Sequence, residues 1–204
     1  MKRILTLTLT VMCLAALLAG CTSQARSTPQ IAPMSLSSSQ QEIVDLTTDT
    51  GQEVLLFEYS LGGAFNEIEV WVEVYNYGEP LGTITSLAMF GSTQVYSLDD
   101  GTLAIIIHNY EHGEFRWTIS TGGGRSVGPS WRAGSSYMGR AFGPIRDAVP
   151  IVDGQPVVLY VSRFTTGSTL STHGDHQYYL DNPEVLAQYT YVHLIKARFS
   201  ASGR

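Results

Sequence analysis

The sequence predicts an all-β protein, an antiparallel β-sandwich, from three observations. Segment 67–75 alternates strictly, with Ile or Val at even positions and Glu, Trp or Tyr at odd positions, which is the period of a half-buried strand. Similar runs of β-branched and aromatic residues recur between turns of Gly, Pro, Asn and Asp. No segment has the apolar spacing of an amphipathic helix, and only 183–186 suggests one helical turn. Many short strands with few helices favour two packed sheets, in a jelly-roll-like arrangement.

The strand predictions rest on different patterns along the chain. Segment 103–108 is nearly continuously apolar, so we expect it in the centre of a sheet. In the next strand, Phe115, Trp117 and Ile119 are expected to point inward. The segment 122–143 contains seven glycines and interrupts any regular ladder. In chain order, the predicted strands are 53–61, 67–75, 83–90, 93–98, 103–108, 115–121, 157–164 and 187–199.

The first 21 residues have the layout of an export signal. A basic pair at 2–3 precedes an uncharged apolar stretch at 4–18, which is shorter than the roughly 20 apolar residues of a membrane-spanning helix. The stretch ends in Leu18-Ala19-Gly20-Cys21, which resembles the lipobox of bacterial lipoproteins. The resemblance implies that residues 1–20 are a signal peptide, that the Cys21 thiol carries a diacylglyceryl group, and that the protein is anchored on the extracytoplasmic face of a membrane. In a cell with two membranes, it implies the outer one.

Residues 21–41 are predicted to form a flexible, lipidated tether. Ser, Thr, Gln and Pro dominate the stretch, and such a composition cannot offset the entropy lost on ordering. Fully extended, the tether would reach about 70 Å from the bilayer; a short ordered edge at 31–34 is the alternative. Residues 42–204 are expected to fold as one β-sandwich domain. No intrachain disulfide is expected, because Cys13 leaves with the signal and Cys21 carries lipid.

The strand pattern at 53–61, 67–75 and 103–121 is similar to that of uncharacterised β-sandwich domains on lipoproteins of Gram-positive bacteria. This resemblance covers a minority of the chain. It implies the sandwich fold and implies no activity.

Charge is distributed unevenly along the chain. The net charge is −6; residues 22–115 hold 13 acidic residues and one basic residue, whereas residues 116–204 hold nine basic and five acidic ones. In a single domain the two halves are expected to neutralise one another across neighbouring strands. An acidic total argues against nucleic acid as a partner, since that requires a concentrated basic face.

Trp71 and Tyr75 form the first candidate binding site. They share one face of the predicted strand with three glutamates, and aromatic rings beside carboxylates are typical of sugar-binding surfaces. The alternative is that another part of the chain covers these side chains. Arg116 would neutralise one of the glutamates if its strand were the neighbour.

The glycine-rich segment contains the second candidate. Arg125, Arg132 and Arg140 are interleaved there with aromatic residues including Trp131, and arginine beside aromatic rings is typical of protein interfaces. The alternative is an irregular connection whose arginines pair with the acidic half of the chain.

Four histidines form the third candidate. The string at 108–112, from His108 to His112, matches the H-x-x-E-H pattern of inverted zincins, but that chemistry requires a helix and the string follows a strand. His173 and His176 flank Asp175 in a predicted loop. These three residues, alone or together with His108 and His112, would form a metal site only if the fold brings them together. We therefore predict exposed loops, with no metal and no other cofactor.

The sequence contains neither Gly-x-Ser-x-Gly nor Ser-x-x-Lys, so it selects no catalytic residues. Two hypotheses follow. The first is a non-enzymatic module on the membrane surface that binds an envelope protein or glycan. The second is a carbohydrate-binding or metal-dependent sandwich that acts on cell-wall polysaccharide.

Overall fold

The computed structural model describes residues 28–63, 65–90, 98, 100–110, 113–134, 137–168, 170 and 174–201. Within these residues, strands form two antiparallel sheets that pack against each other, so the predicted all-β sandwich is confirmed. The strands are β1 (Gln30–Pro33), β2 (Gln52–Ser60), β3 (Glu67–Asn76), β4 (Glu79–Phe90), β5 (Asp100–Tyr110), β6 (Glu114–Thr121), β7 (Gly124–Val127), β8 (Trp131–Arg132), β9 (Gly139–Pro144), β10 (Val149–Pro150), β11 (Pro156–Thr165) and β12 (Tyr191–Ser200).

Sheet A has the order β10-β1-β2-β5-β6-β7, with β8 also paired to β6, and sheet B has the order β4-β3-β12-β11-β9. In sheet A, β2 pairs with β5, while the hairpin β3–β4, which lies between them in sequence, belongs to sheet B. In a jelly roll, two paired strands of one sheet flank, in chain order, a hairpin that belongs to the opposite sheet. The strands β2 to β5 have this arrangement. As predicted, the apolar strand β5 lies inside its sheet.

The core between the sheets follows the alternation of the sequence. Ile68, Val70, Val72 and Val74 on β3 are each at most 1 % exposed, which confirms the inward face predicted for that strand. From sheet A, the inward side chains of β6 meet them. Full burial stabilises each such side chain by about 1.5–3 kcal/mol, so these alternating positions account for much of the folding free energy.

One histidine lies in the aromatic part of this core. His193 on β12 is 1 % exposed, and its ring centroid lies 4.7–5.2 Å from those of Phe115, Trp117, Trp131 and Phe164. Within the described residues, His193 Nε2 and Trp117 Nε1 have no hydrogen-bond partner. An imidazole that is buried with no hydrogen-bond partner for Nε2 is stabilised in its neutral form, because an unpaired buried charge is costly.

The segment predicted to be a tether is ordered in its second half. β1 pairs with both β2 and β10, and Ile31 is fully buried. The helix α1 (Ser38–Thr47) follows, begun by a capping box in which Ser37 and Gln40 exchange hydrogen bonds. The structure therefore corrects the tether boundary of 41: it favours the ordered edge at 31–34 and adds a helix that was not predicted. The predicted signal peptide and the predicted lipidation site, Cys21, lie outside the described residues.

A short helical segment covers part of the outer face of sheet B. It comprises α2 (Tyr178–Asp181) and a 3₁₀ helix, Pro183–Gln188, where one helical turn was predicted at 183–186. Tyr179 and Leu186 from this segment are buried against Val192 and Leu194 of β12 in a second apolar cluster. Because the 3₁₀ helix includes residues 187 and 188, β12 begins later than the predicted strand 187–199.

Candidate functional site

The remaining outer face of sheet B holds a polar and aromatic surface. The odd-numbered side chains of β3 point outward because its even-numbered side chains fill the core. In the antiparallel register, Lys196 of β12 lies opposite Trp71, and Arg198 lies opposite Glu69. We call this surface the β3–β12 face; it consists of Glu69, Trp71, Glu73, Tyr75, Lys196 and Arg198.

Glu73 holds this surface together. Trp71 Nε1 donates a hydrogen bond to Glu73 Oε1 at 2.7 Å. Tyr75 Oη donates to Oε2 at 2.5 Å, and Lys196 Nζ donates to the same oxygen at 2.6 Å. The Lys196 side chain is only 8 % exposed, so its charge is paired in a largely dry environment. One carboxylate thus fixes two aromatic rings and one ammonium group.

The proton positions at this hub follow from its surroundings. Burial alone would raise the pKa of the Glu73 carboxyl, but hydrogen bonds from Lys196, Tyr75 and Trp71 outweigh it and hold the pKa below its usual range. Burial, and then the hydrogen bond to the Glu73 carboxylate, raise the pKa of the Tyr75 phenol well above its usual value. At neutral pH, Glu73 is therefore an acceptor and Tyr75 a donor.

Arg198 completes the face beside Trp71. Its Nη2 donates to Glu69 Oε2 in an ion pair, and its Cζ lies 5.7 Å from the centre of the Trp71 ring, in a cation–π contact. An arginine carries five N–H donors, and within the described residues one nitrogen of Arg198 has a hydrogen-bond partner. The face therefore retains N–H donors on a side chain that is 30 % exposed.

On the β4 side, the neighbours of Trp71 are small. Ser86 lies opposite Trp71, and Ala88 is the next outward residue along β4; both are exposed. Phe90 follows on the same outward face and is 61 % exposed. Phe90 lies opposite residue 67 of β3. Because positions 67, 71 and 75 are four residues apart, the rings of Phe90, Trp71 and Tyr75 are spaced by about 13 Å along the strand direction.

Sequence reasoning found only part of this site. It identified Trp71 and Tyr75, and the structure places both on the outer face, where both are partly buried. It missed Phe90 and the two cations, and it offered Arg116 as a partner of the glutamates only if its strand were the neighbour of β3, which it is not. Arg116 lies on β6 in sheet A and donates to the Gly128 carbonyl. Only the strand order, which makes β12 the neighbour of β3, identifies the cations.

The residues of the glycine-rich segment do not share one surface. Arg125 is exposed on β7. Arg132 pairs with Glu114 at 2.8 Å and is 65 % exposed. Trp131 packs inward, with its ring 4.7 Å from that of His193. Each side chain has its own local role, and the arginines and the indole form no single patch.

Arg140 is used inside the sandwich. Its Nη1 lies 2.7 Å from Glu53 Oε1, its Nε donates to Ser162 Oγ and its Nη2 donates to Tyr160 Oη, both at 2.9 Å. Its Cζ lies 4.1 Å from the centre of the Phe142 ring. All three guanidinium nitrogens are engaged, so Arg140 ties β9 of sheet B to β2 of sheet A.

The ion pairs of the described residues follow the uneven charge of the sequence. Each joins an acidic residue from 22–115 to a basic residue from 116–204, as the sequence predicted. They are Glu53–Arg140, Glu69–Arg198, Glu73–Lys196 and Glu114–Arg132.

The histidines predicted as alternative ligands are only partly described. His108 lies on β5, and partial burial, followed by the charge of Arg116, lowers its pKa. His176 Nε2 lies 2.8 Å from the Gly143 carbonyl oxygen, while His112 and His173 lie outside the described residues. Among the residues that the structure describes, no three His, Cys, Asp or Glu side chains are grouped to hold a metal ion.

Within the described parts of the chain, no helix combines the length and apolarity needed to cross a bilayer. No family model matches the sequence, and the comparisons with curated proteins and with solved structures found no match. The β3–β12 face is therefore interpreted from its own geometry and chemistry.

Proposed function

We propose that this protein is a lipid-anchored, non-enzymatic binding module that holds a polymeric carbohydrate of the cell envelope on its β3–β12 face. The observation that carries the proposal is the fixed Trp71 ring, hydrogen-bonded to Glu73 at 2.7 Å and partly exposed on the outer face of the sandwich. The lipobox motif ending at Cys21 supports the anchor.

The chemistry of the face suits a sugar. Aromatic rings present a flat apolar surface to the C–H face of a pyranose, while a polar rim bonds its hydroxyls. Immobilising a side chain on binding costs about 0.5–1.5 kcal/mol, and the hydrogen bonds to Glu73 reduce this cost for Trp71 and Tyr75. Unused N–H donors of Arg198 and the Glu69 carboxylate supply hydroxyl partners.

The spacing of the rings favours an extended polymer over a small molecule. Phe90, Trp71 and Tyr75 recur at four-residue intervals across the sheet, so the outer two rings lie about 26 Å apart at the usual strand rise. A single sugar cannot contact rings at that distance. An extended chain lying along β3 contacts all three.

The protonation of Glu73 favours binding over catalysis. A general acid or base works best with a pKa near the operating pH, whereas the pKa of Glu73 is lowered by three hydrogen-bond donors. Its oxygens are occupied by those donors, so the carboxylate positions other side chains.

A sedimentation assay with insoluble cell-wall polymer tests the proposal. The soluble chain 22–204, which retains β1, is mixed with purified peptidoglycan sacculi and with insoluble β-glucan. We expect wild type to be retained and Trp71→Ala to bind at least tenfold more weakly, a loss of about 1.4 kcal/mol or more. Phe142→Ala is the matched control, because it removes a ring that is 51 % exposed on β9, away from the face.

Two results would refute the proposal. One is that wild type binds none of these carbohydrates. The other is that Trp71→Ala, shown to be folded by circular dichroism, binds as well as wild type.

A further inference from the structure

The length of chain before β1 limits how far the domain stands from its anchor. β1 begins at Gln30, inside sheet A between β2 and β10, and Cys21 precedes it by nine residues. Nine residues span at most about 30 Å even when fully extended. The domain is therefore held much closer to the anchor than the 70 Å expected for a tether ending at residue 41.

The helix α1 presents apolar side chains to the outside. Leu46 is 79 % exposed and Ile43 is 61 % exposed, and at a spacing of three residues they lie on the same side of the helix. On its inner side, Val44 meets Val54 and Leu56 of β2 across a small cleft. The helix thus lies over the outer face of sheet A, with its free apolar edge turned outward.

The apolar surface continues beyond the helix. Leu36, in the loop before α1, lines an open cleft together with Leu46. Glu42 and Asp45 also line this cleft, so docking has to leave these acidic side chains in the water of the headgroup layer while the apolar side chains reach toward the acyl chains.

We propose that α1 docks on the lipid surface that carries the anchor, with Ile43 and Leu46 inserted at the interface. This inference rests on the proposed lipid attachment at Cys21. Two apolar side chains bind a membrane weakly by themselves, but the short tether holds them near the bilayer at an effective concentration of about millimolar. Because α1 lies beside β2 on the outer side of sheet A and the β3–β12 face belongs to sheet B, docking turns the sugar-binding face away from the membrane and toward the envelope polymer.

Site-specific quenching in the lipidated, full mature protein tests the docking. Cys13 leaves with the signal and the Cys21 thiol is acylated, so a new cysteine is the only free thiol. Leu46→Cys carries an NBD fluorophore, and Met138→Cys is the control because Met138 is also 79 % exposed but lies beside β9 of sheet B. Both proteins are reconstituted in phosphatidylcholine–phosphatidylethanolamine vesicles, with or without doxyl-labelled lipid.

We expect doxyl lipid to quench the label at position 46 at least twofold more than the label at position 138. If the protein floats with the vesicles but the two labels are quenched equally, α1 does not dock although the anchor is present. A blue shift at position 46 without quenching would indicate contact between protein copies and would also overturn the inference. If the protein does not float, the lipid anchor of the proposed function fails, and docking fails with it.

Discussion

Acid should destabilise this fold through His193. The imidazole is 1 % exposed; burial, and then the positive charge of Arg140, lower its pKa well below the usual 6.5. The folded state therefore binds a proton less readily than the unfolded chain. The stability that depends on neutral His193 is fully present above about pH 6.5, the pKa of the unfolded state, and is lost as the pH falls below it.

The size of the effect follows from linkage. A group that is protonated in the unfolded chain and neutral in the folded one changes the free energy of unfolding by about 1.4 kcal/mol per pH unit. Between pH 6.5 and pH 5 the loss therefore approaches about 2 kcal/mol, a sizeable part of the roughly 5–15 kcal/mol that stabilises a typical domain. Titration of Glu73 contributes little to the loss of stability between pH 6.5 and pH 5, because the pKa of its carboxyl lies below its usual range.

Urea unfolding of the soluble chain 22–204 measures this, followed by tryptophan fluorescence at pH 7, 6 and 5. His193→Leu removes the titrating group and should flatten the pH profile, although it also changes the packing around Trp117. His108→Gln is the control, because His108 is only partly buried. Its removal should leave most of the dependence of the unfolding free energy on pH. The reasoning is wrong if His193→Leu keeps the full acid loss, or if wild type loses less than about 0.5 kcal/mol by pH 5.

Two further predictions concern the backbone and the anchor. Gly51→Ala should destabilise the fold by about 1–3 kcal/mol in chemical denaturation, because Gly51 has φ +90° and an added Cβ would lie 2.7 Å from the Asn109 carbonyl oxygen. Gly154→Ala, at φ +70° with no atom within 4 Å of the added Cβ, should lower the free energy of unfolding by less. Equal losses for the two variants would show that the contact with Asn109 does not destabilise the fold. Cys21→Ser should abolish palmitate incorporation and move the protein to the soluble fraction; retention in the membrane would show that the anchor lies elsewhere.

The sequence predicted best where structure depends on near neighbours. The alternation in β3 identified both its buried and its outward side chains, because side chains of a strand alternate regardless of its partner. The sign of the ion pairs was also predictable, since acids and bases concentrate in different halves of the chain. The specific pairs were not: the sequence offered Arg116 as a partner for the glutamates if its strand were adjacent, and instead Lys196 and Arg198 lie there.

The sequence by itself determined the sandwich class, the inward face of each strong strand and Trp71 and Tyr75 as a candidate surface. Only the tertiary structure decided that β12 lies beside β3, that Phe90 joins the face and that Arg140 is used internally. It also decided that β1 is ordered, because this four-residue segment, with Ile31 as its one buried residue, pairs with two distant strands. Such pairings join residues far apart in sequence, and no local pattern encodes them.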